Sequence, residues 1–422
     1  MSSQAAEAPI PASFDLPAIP PLARHPGWLD DRRASALKAF RANGLPHRRV
    51  EEWKYSDLRN AIEGQGRNES DVTNPAPDPF EAIAGPRLVV RDGAFDAALS
   101  SAEEVEFLDL ALLDDDAPDW VRNGLGQVLS NSMGNASLAL MRGGVAIRIS
   151  RGTAAQLHLR FLQETETMHA RVFVEVEDGA SLLLLESHAG VHGVGNLGIE
   201  IFLRANAQMT HVRLAEPAPD AIRIEEIGVV LARDARYFAH LPQTGAQLSR
   251  LELSVDLQGS GAEAALDGAG VLGDRLHADV TTRVDHSAAN TASTQLFKYI
   301  AGGHSRAIYQ GKIAVHKGAD GSDSRQTAKA ILTGQRAEAD LKPELEILAD
   351  DVKCAHGAAV GDLDADSLFY LRSRGISEGE ARELLVRAFI EETVTRIKRE
   401  DVRTAVWGFL EDALPRALEV SE

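Results

Sequence analysis

The triplets GAS (179–181), NAQ (206–208), DAR (234–236) and GAE (261–263) recur at intervals of 27, 28 and 27 residues. Between them lie short apolar runs such as SLLLLES (181–187), IEIFLRA (199–205), IGVVLAR (227–233) and LELSVDL (251–257). A fixed period in the twenties, carrying strands and no helices, is the pattern of a solenoid whose stacked coils bury a continuous interior. A doubly wound α/β sheet would need helices of about 10–15 residues between strands, and the intervals leave no room for them. A β-sandwich does not require a constant period. VAIRIS (145–150), LHLRFL (157–162) and RVFVEVE (171–177) extend the pattern upstream. The reading is mainly β, a parallel β-helix over roughly residues 145–345.

Outside the coils the patterning changes. Trp28 to Phe40 reads as a helix stopped at Asn43-Gly44, after an Ala- and Pro-rich start expected to be extended. RRVEEWKYSDL (48–58) is expected to dock Trp53, Tyr55 and Leu58 on the body, and its charges also suit a binding surface. Residues 63–79 read as a linker, and RLVVRDG (87–93) as a strand with a hairpin signal. A helical stretch is expected around 119–140. At the other end, helices are expected over 364–374, 378–398 and 401–414. Ser377 and Glu380 form a capping box, each satisfying a free N–H at the helix start. The helix that follows carries two apolar stripes. One is Ala381, Leu384, Leu385 and Ala388, and the other is Val386, Phe389, Ile390, Val394 and Ile397. One face would pack on the body and the other meet a neighbour, or both would be buried within the chain. The domain division is 1–80, a helical region with linker; 81–362, the β-helix with its leading segment; and 363–422, a helical C-terminal domain.

Composition narrows the function classes. Among 422 residues, 63 are acidic and 44 basic, a net charge of −19, so a nucleic-acid binder or a protein of anionic membrane surfaces is not expected. One cysteine, Cys354, excludes an intrachain disulfide and a four-cysteine metal site. The N-terminus carries no secretory pattern and no apolar run approaches a membrane span, so a cytoplasmic protein is expected.

GVGNLG (193–198) matches a dinucleotide fingerprint, but IEIFL follows it, a strand where the pyrophosphate would need a helix N-terminus. No phosphate loop of the G-x-x-x-x-G-K-[ST] type occurs. His188 and His192 flank a Gly-containing loop and read as solvated histidines. Stacking of coils could gather His277, His286, His304 and His316, but their spacing does not derive it. The chemistry-bearing element is DDVKCAHG (350–357). On an extended strand Cys354 and His356 share a face. Thiolate and imidazole both bind iron or zinc, yet two ligands do not complete a site. Any metal would need groups from elsewhere or from another chain. The alternative is a buried cysteine beside a structural histidine.

PELEILADDVKCAHG (343–357), LFYLRSRGI (368–376), VDH (284–286) and SRAIYQGKI (305–313) together strongly resemble the SufB/SufD family of iron–sulfur cluster assembly proteins. The likeness covers roughly 85–400, and EEWKY (51–55) with the modest length is nearer to SufD than to the longer SufB. The resemblance implies a right-handed parallel β-helix between helical ends, in a scaffold subunit that is not itself an enzyme. It implies a complex with SufB, through the β-helix cores, and with two copies of the ATPase SufC, held by the C-terminal helices. Candidate docking residues there are Leu368, Phe369, Tyr370, Leu371, Phe389, Ile390 and Val394. The missing phosphate loop agrees with ATP hydrolysis delegated to SufC. The resemblance maps onto His356 a histidine that shares a nascent cluster with a SufB cysteine; Cys354 also matches the pattern. No cofactor is then expected on the chain alone, only transient iron or a cluster shared with SufB. Self-association of the isolated chain is left open. A carbohydrate-active β-helix enzyme is the alternative from another class, weakened by 5% aromatics and no secretion pattern.

Overall fold

The structure, a computed structural model, describes residues 14, 20–24, 26–64, 76–102, 104–190 and 192–419. The Ala/Pro-rich start and most of the 63–79 linker therefore lie outside the described residues. Two long sheets face each other, one of ten strands and one of nine. From Ala154–Gln163 onward, successive strands go alternately to the two sheets and pair in parallel with the strand one coil away, about eight turns in all. Both sheets are antiparallel only at their start, in the Arg87–Arg91/Ala94–Phe95 hairpin and the Glu106–Asp109/Gly144–Ile149 pair.

The repeat has a backbone cause. Gly179, Asn206, Asp234 and Gly261 all sit at positive φ, between 56° and 76°, as do Gly152, Asn290 and Gly321. Left-handed backbone is open to Gly and tolerated by Asn and Asp, because their short side chains bond locally. The four triplets thus mark one corner of successive coils. After Gly261 the corner residues are Asn290 and Gly321, at wider spacing, which hides the last coils from a fixed-period search.

Alternation does the rest. Val172, Ile199, Ile227 and Leu253 stack in register, beside Val174, Ile201, Val229 and Val255. All eight are buried in one interior. Burying each contributes roughly 1.5–3 kcal/mol. The parallel ladder starts before residue 145, at Arg87–Arg91, and runs past 345 to Lys353–Gly361. The chemistry-bearing stretch is therefore part of the β-helix.

Helices α1 (Gly27–Asn43), α2 (Leu58–Glu63), α3 (Asp119–Gly124) and α4 (Ser132–Leu140) precede the coils, and their apolar faces form a second core on the nine-stranded sheet. The helical stretch expected around 119–140 consists of two helices with a break between them. Glu200, fully buried on the outer face of that sheet, accepts hydrogen bonds from the N–H groups of Gly126 (2.6 Å) and Val128 (2.7 Å) and pairs with buried Arg171. Those N–H groups are satisfied outside a helix, so the chain breaks there. The 48–58 segment docks as expected. Trp53 is buried under the Arg250 guanidinium at 4.2 Å, Leu58 is buried, and Tyr55 is half-buried.

At the other end α5 (Ala365–Ser373), α6 (Glu378–Val394) and α7 (Glu400–Leu418) follow, and the capping box at Ser377 is present. Val386, Ile390, Val394, Val402 and Val406 form a third core with Val271 and Ile300 on the outer face of the ten-stranded sheet.

Candidate functional site: the open end of the β-helix

The last coil consists of strands Glu338–Ile347 and Lys353–Gly361. Ala339, Leu341, Pro343, Leu345 and Ile347 continue the inward column of the nine-stranded sheet. Cys354, His356, Ala358 and Val360 continue that of the ten-stranded one, in register with Ser324, Gln326, Ala328 and Ala330. Among the described residues no further coil covers them. Residues whose counterparts one coil below are buried are here open: Val360 is 46% exposed and Ile347 43%, with Leu348 beside them at 53%. Both strands also present unpaired edges. An exposed apolar strand edge is a template for pairing with another chain, and solenoids need a cap at each end.

Cys354 and His356 do share a face, and it is the inward one. Cys354 is half-buried against the cluster of Ile313, Val315 and Ala319, whereas the His356 side chain is exposed. Burial, with the Asp323 carboxylate, pushes the Cys354 thiol above its ordinary value. The two groups are thus unlike: a packed thiol and an open imidazole on one rim.

The other histidines do not join them. His286 is buried and its ring bonds Thr291 (2.8 Å) and Ser293 (2.9 Å). His277 bonds Ser56 at 2.9 Å, and burial lowers it to about 4. His316 meets Asp285 at 2.8 Å. His192 is exposed as expected, but His188 is not a solvated loop residue. It lies on strand Ser181–Gly190 facing inward, bonded to Glu186, with Glu225 3.5 Å away. Glu186, His188 and Glu225 converge closely enough to hold a metal. Buried Arg213 and Arg223 flank them, Arg213 pairing with Glu225. Two guanidiniums already balance two carboxylates, so a divalent cation would add uncompensated buried charge, and the cluster reads as a closed ion network. Sequence reasoning missed it; the available signal was a polar Glu-x-His on the apolar side of an alternating strand. GVGNLG runs into the strand Val194–Leu203, as expected of a decoy. A Cβ on Gly198 would lie 2.3 Å from the Arg171 guanidinium, so that glycine makes room for an ion pair rather than a phosphate.

The C-terminal helices divide the candidate docking residues. On α5 no residue is buried: Phe369 is 75% and Tyr370 57% exposed, with Leu368 and Leu371 half-buried. On α6 the placement is a correction. Ile390 and Val394 are buried in the chain's own third core, and Phe389 is half-buried under Lys298. Of the other stripe, Leu384 and Ala388 are exposed and Leu385 is half-buried, while Ala381 is buried.

Residues 160–389, more than half the chain, match the family model "SUF system FeS cluster assembly, SufBD core domain". The chain belongs to the SufBD family. It is 29% identical over 394 residues to the iron–sulfur cluster assembly protein SufD of Escherichia coli, spanning 90% of this chain and 92% of that protein. It is 28% identical over 399 residues to an iron–sulfur cluster assembly SufBD family protein of Synechocystis, covering 87% of each. The protein is thus a SufBD-family iron–sulfur cluster assembly protein, and the carbohydrate-active alternative falls away. Among the described residues no helix is long and apolar enough to cross a membrane.

Proposed function

We propose that this SufBD-family chain acts as the SufD-like, non-catalytic subunit of a cytoplasmic assembly scaffold. Its open β-helix end pairs with SufB, and His356 is presented at that seam as a ligand to iron or a nascent cluster, which is cargo rather than a resident cofactor. SufC is held on the C-terminal helices. The observation that carries this reading is the last coil, uncapped among the described residues, where an exposed imidazole stands on the same rim as exposed apolar side chains and the edge strands of both sheets. A chain with one thiol and one open imidazole there offers at most two ligands, so a partner must complete the coordination.

The test is reconstitution with SufB and SufC. Val360→Asp combined with Ile347→Asp places two charges on the seam, and burying unpaired charges costs several kcal/mol, order of magnitude. Size-exclusion chromatography should show loss of SufB association with a folded monomer remaining. Normal association of the double variant would overturn the seam assignment. If the isolated chain self-associates through the same end, the double variant disperses that dimer too.

For the ATPase, Phe369→Glu with Tyr370→Glu should remove SufC from the complex while the SufB contact persists. Both side chains are exposed, so the substitutions leave the fold intact. Undiminished SufC retention would exclude α5 as the dock.

A further inference from the structure

The β-helix interior changes character toward the open end. One inward column of the ten-stranded sheet runs Ala239, Leu266, Gln295, Gln326 and His356, each in register with the next. Gln295 and Gln326 are only 2% and 1% exposed, so two amides replace aliphatic side chains directly beneath the imidazole.

Their orientation is held by the facing sheet. Thr282 Oγ1 (2.6 Å) and Tyr309 OH (2.9 Å) both donate to Gln295 Oε1, and Gln326 Nε2 donates to Tyr309 OH at 3.0 Å. Gly311 opens the space for this: a Cβ there would lie 2.0 Å from Gln326 Nε2. The Gln326 donor is thus engaged, while its Oε1 is buried with no hydrogen-bond partner. Buried acceptors left unpaired are uncommon in folded chains, because nothing replaces the water they lose. The next residue along the column is His356, on the same face and one strand spacing away, about 4.8 Å.

We propose that Gln326 is a positioning residue for His356: its Oε1 accepts one imidazole N–H and so leaves the other ring nitrogen, with its lone pair, free to bind ferrous iron at the seam. Histidines that ligate metals generally donate their second ring N–H to a fixed acceptor, which sets the tautomer and raises ligand basicity. The assignment rests on the reading of His356 as a ligand. A rival donor exists, since Gln295 Nε2 is also buried without a partner one coil below.

The test uses the full-length chain and the reconstituted complex. Gln326→Met keeps the length and removes the acceptor; Gln326→Glu keeps an oxygen at the same reach. Long-range 1H–15N correlation of histidine-labelled protein should show one dominant neutral tautomer for His356, and a mixture in Gln326→Met. Tyr309→Phe, which releases the Gln326 amide and keeps the aromatic packing, should loosen the tautomer in the same direction. Affinity of the assembled complex for ferrous iron should fall about tenfold to a hundredfold in Gln326→Met and recover in part in Gln326→Glu. An unchanged tautomer and unchanged iron affinity in a folded Gln326→Met chain would overturn the proposal. If iron binding does not depend on His356 at all, it is the ligand reading that fails, and the tautomer measurement still decides the Gln326 contact.

Discussion

Replacing His356 by Ala should leave the complex assembled and reduce its iron and acid-labile sulfide by about tenfold or more. The imidazole is exposed on the last strand, so its removal takes nothing from the stacked interior. A methyl group cannot replace a ligand. His356→Cys should retain part of the binding, since thiolate is also a good iron ligand. Cys354→Ser should be milder, because Cys354 is packed against the cluster of Ile313, Val315 and Ala319 and the imidazole is the open group on the rim. A loss as large as that of His356→Ala would instead make both residues ligands. The measurement is iron and sulfide per reconstituted complex, beside size-exclusion profiles of each variant. Full cluster content in a normally assembled His356→Ala complex would make the histidine structural only.

Glu200→Leu should be the most damaging single substitution away from that rim. Glu200 and Arg171 are both fully buried, and the carboxylate also takes the N–H groups of Gly126 and Val128. Without it a buried guanidinium keeps its hydrogen bonds to Gly134 O and Ser137 Oγ, at 3.0 and 2.6 Å, beside a Glu226 carboxyl that burial pushes toward its neutral form. Breaking one side of a buried pair costs about 3–5 kcal/mol, because the other charge is left uncompensated. The loss should appear as a lower urea midpoint, with protease cutting first in the 125–131 loop. Glu200→Gln, which keeps one acceptor oxygen, should lose less. An unchanged midpoint in Glu200→Leu would show that the 125–131 loop is held by other contacts.

The β-helix was legible because its determinants are local. A left-handed corner at Gly179, Asn206, Asp234 and Gly261 and the alternation of Val, Ile and Leu between corners are both written within a few residues. The shared face of Cys354 and His356 follows from the same alternation, and so does the capping box at Ser377. Other features were hidden by distance. His188 looks like a loop histidine until Glu225, 37 positions away, is brought beside it. The 119–140 stretch is helical in pattern, but a carboxylate from the strand at Glu200 claims its middle N–H groups.

What the sequence determined alone was the period, the strand faces and the face that Cys354 and His356 share. These depend on backbone sterics and on a side-chain alternation of two. Only the tertiary structure decided which stripe of α6 is spent on the chain's own core, that Gln326 stands beneath His356, and that the last coil has no cover among the described residues. Burial and partnership are settled by whichever distant segment arrives on a face, and no local spacing encodes that arrival.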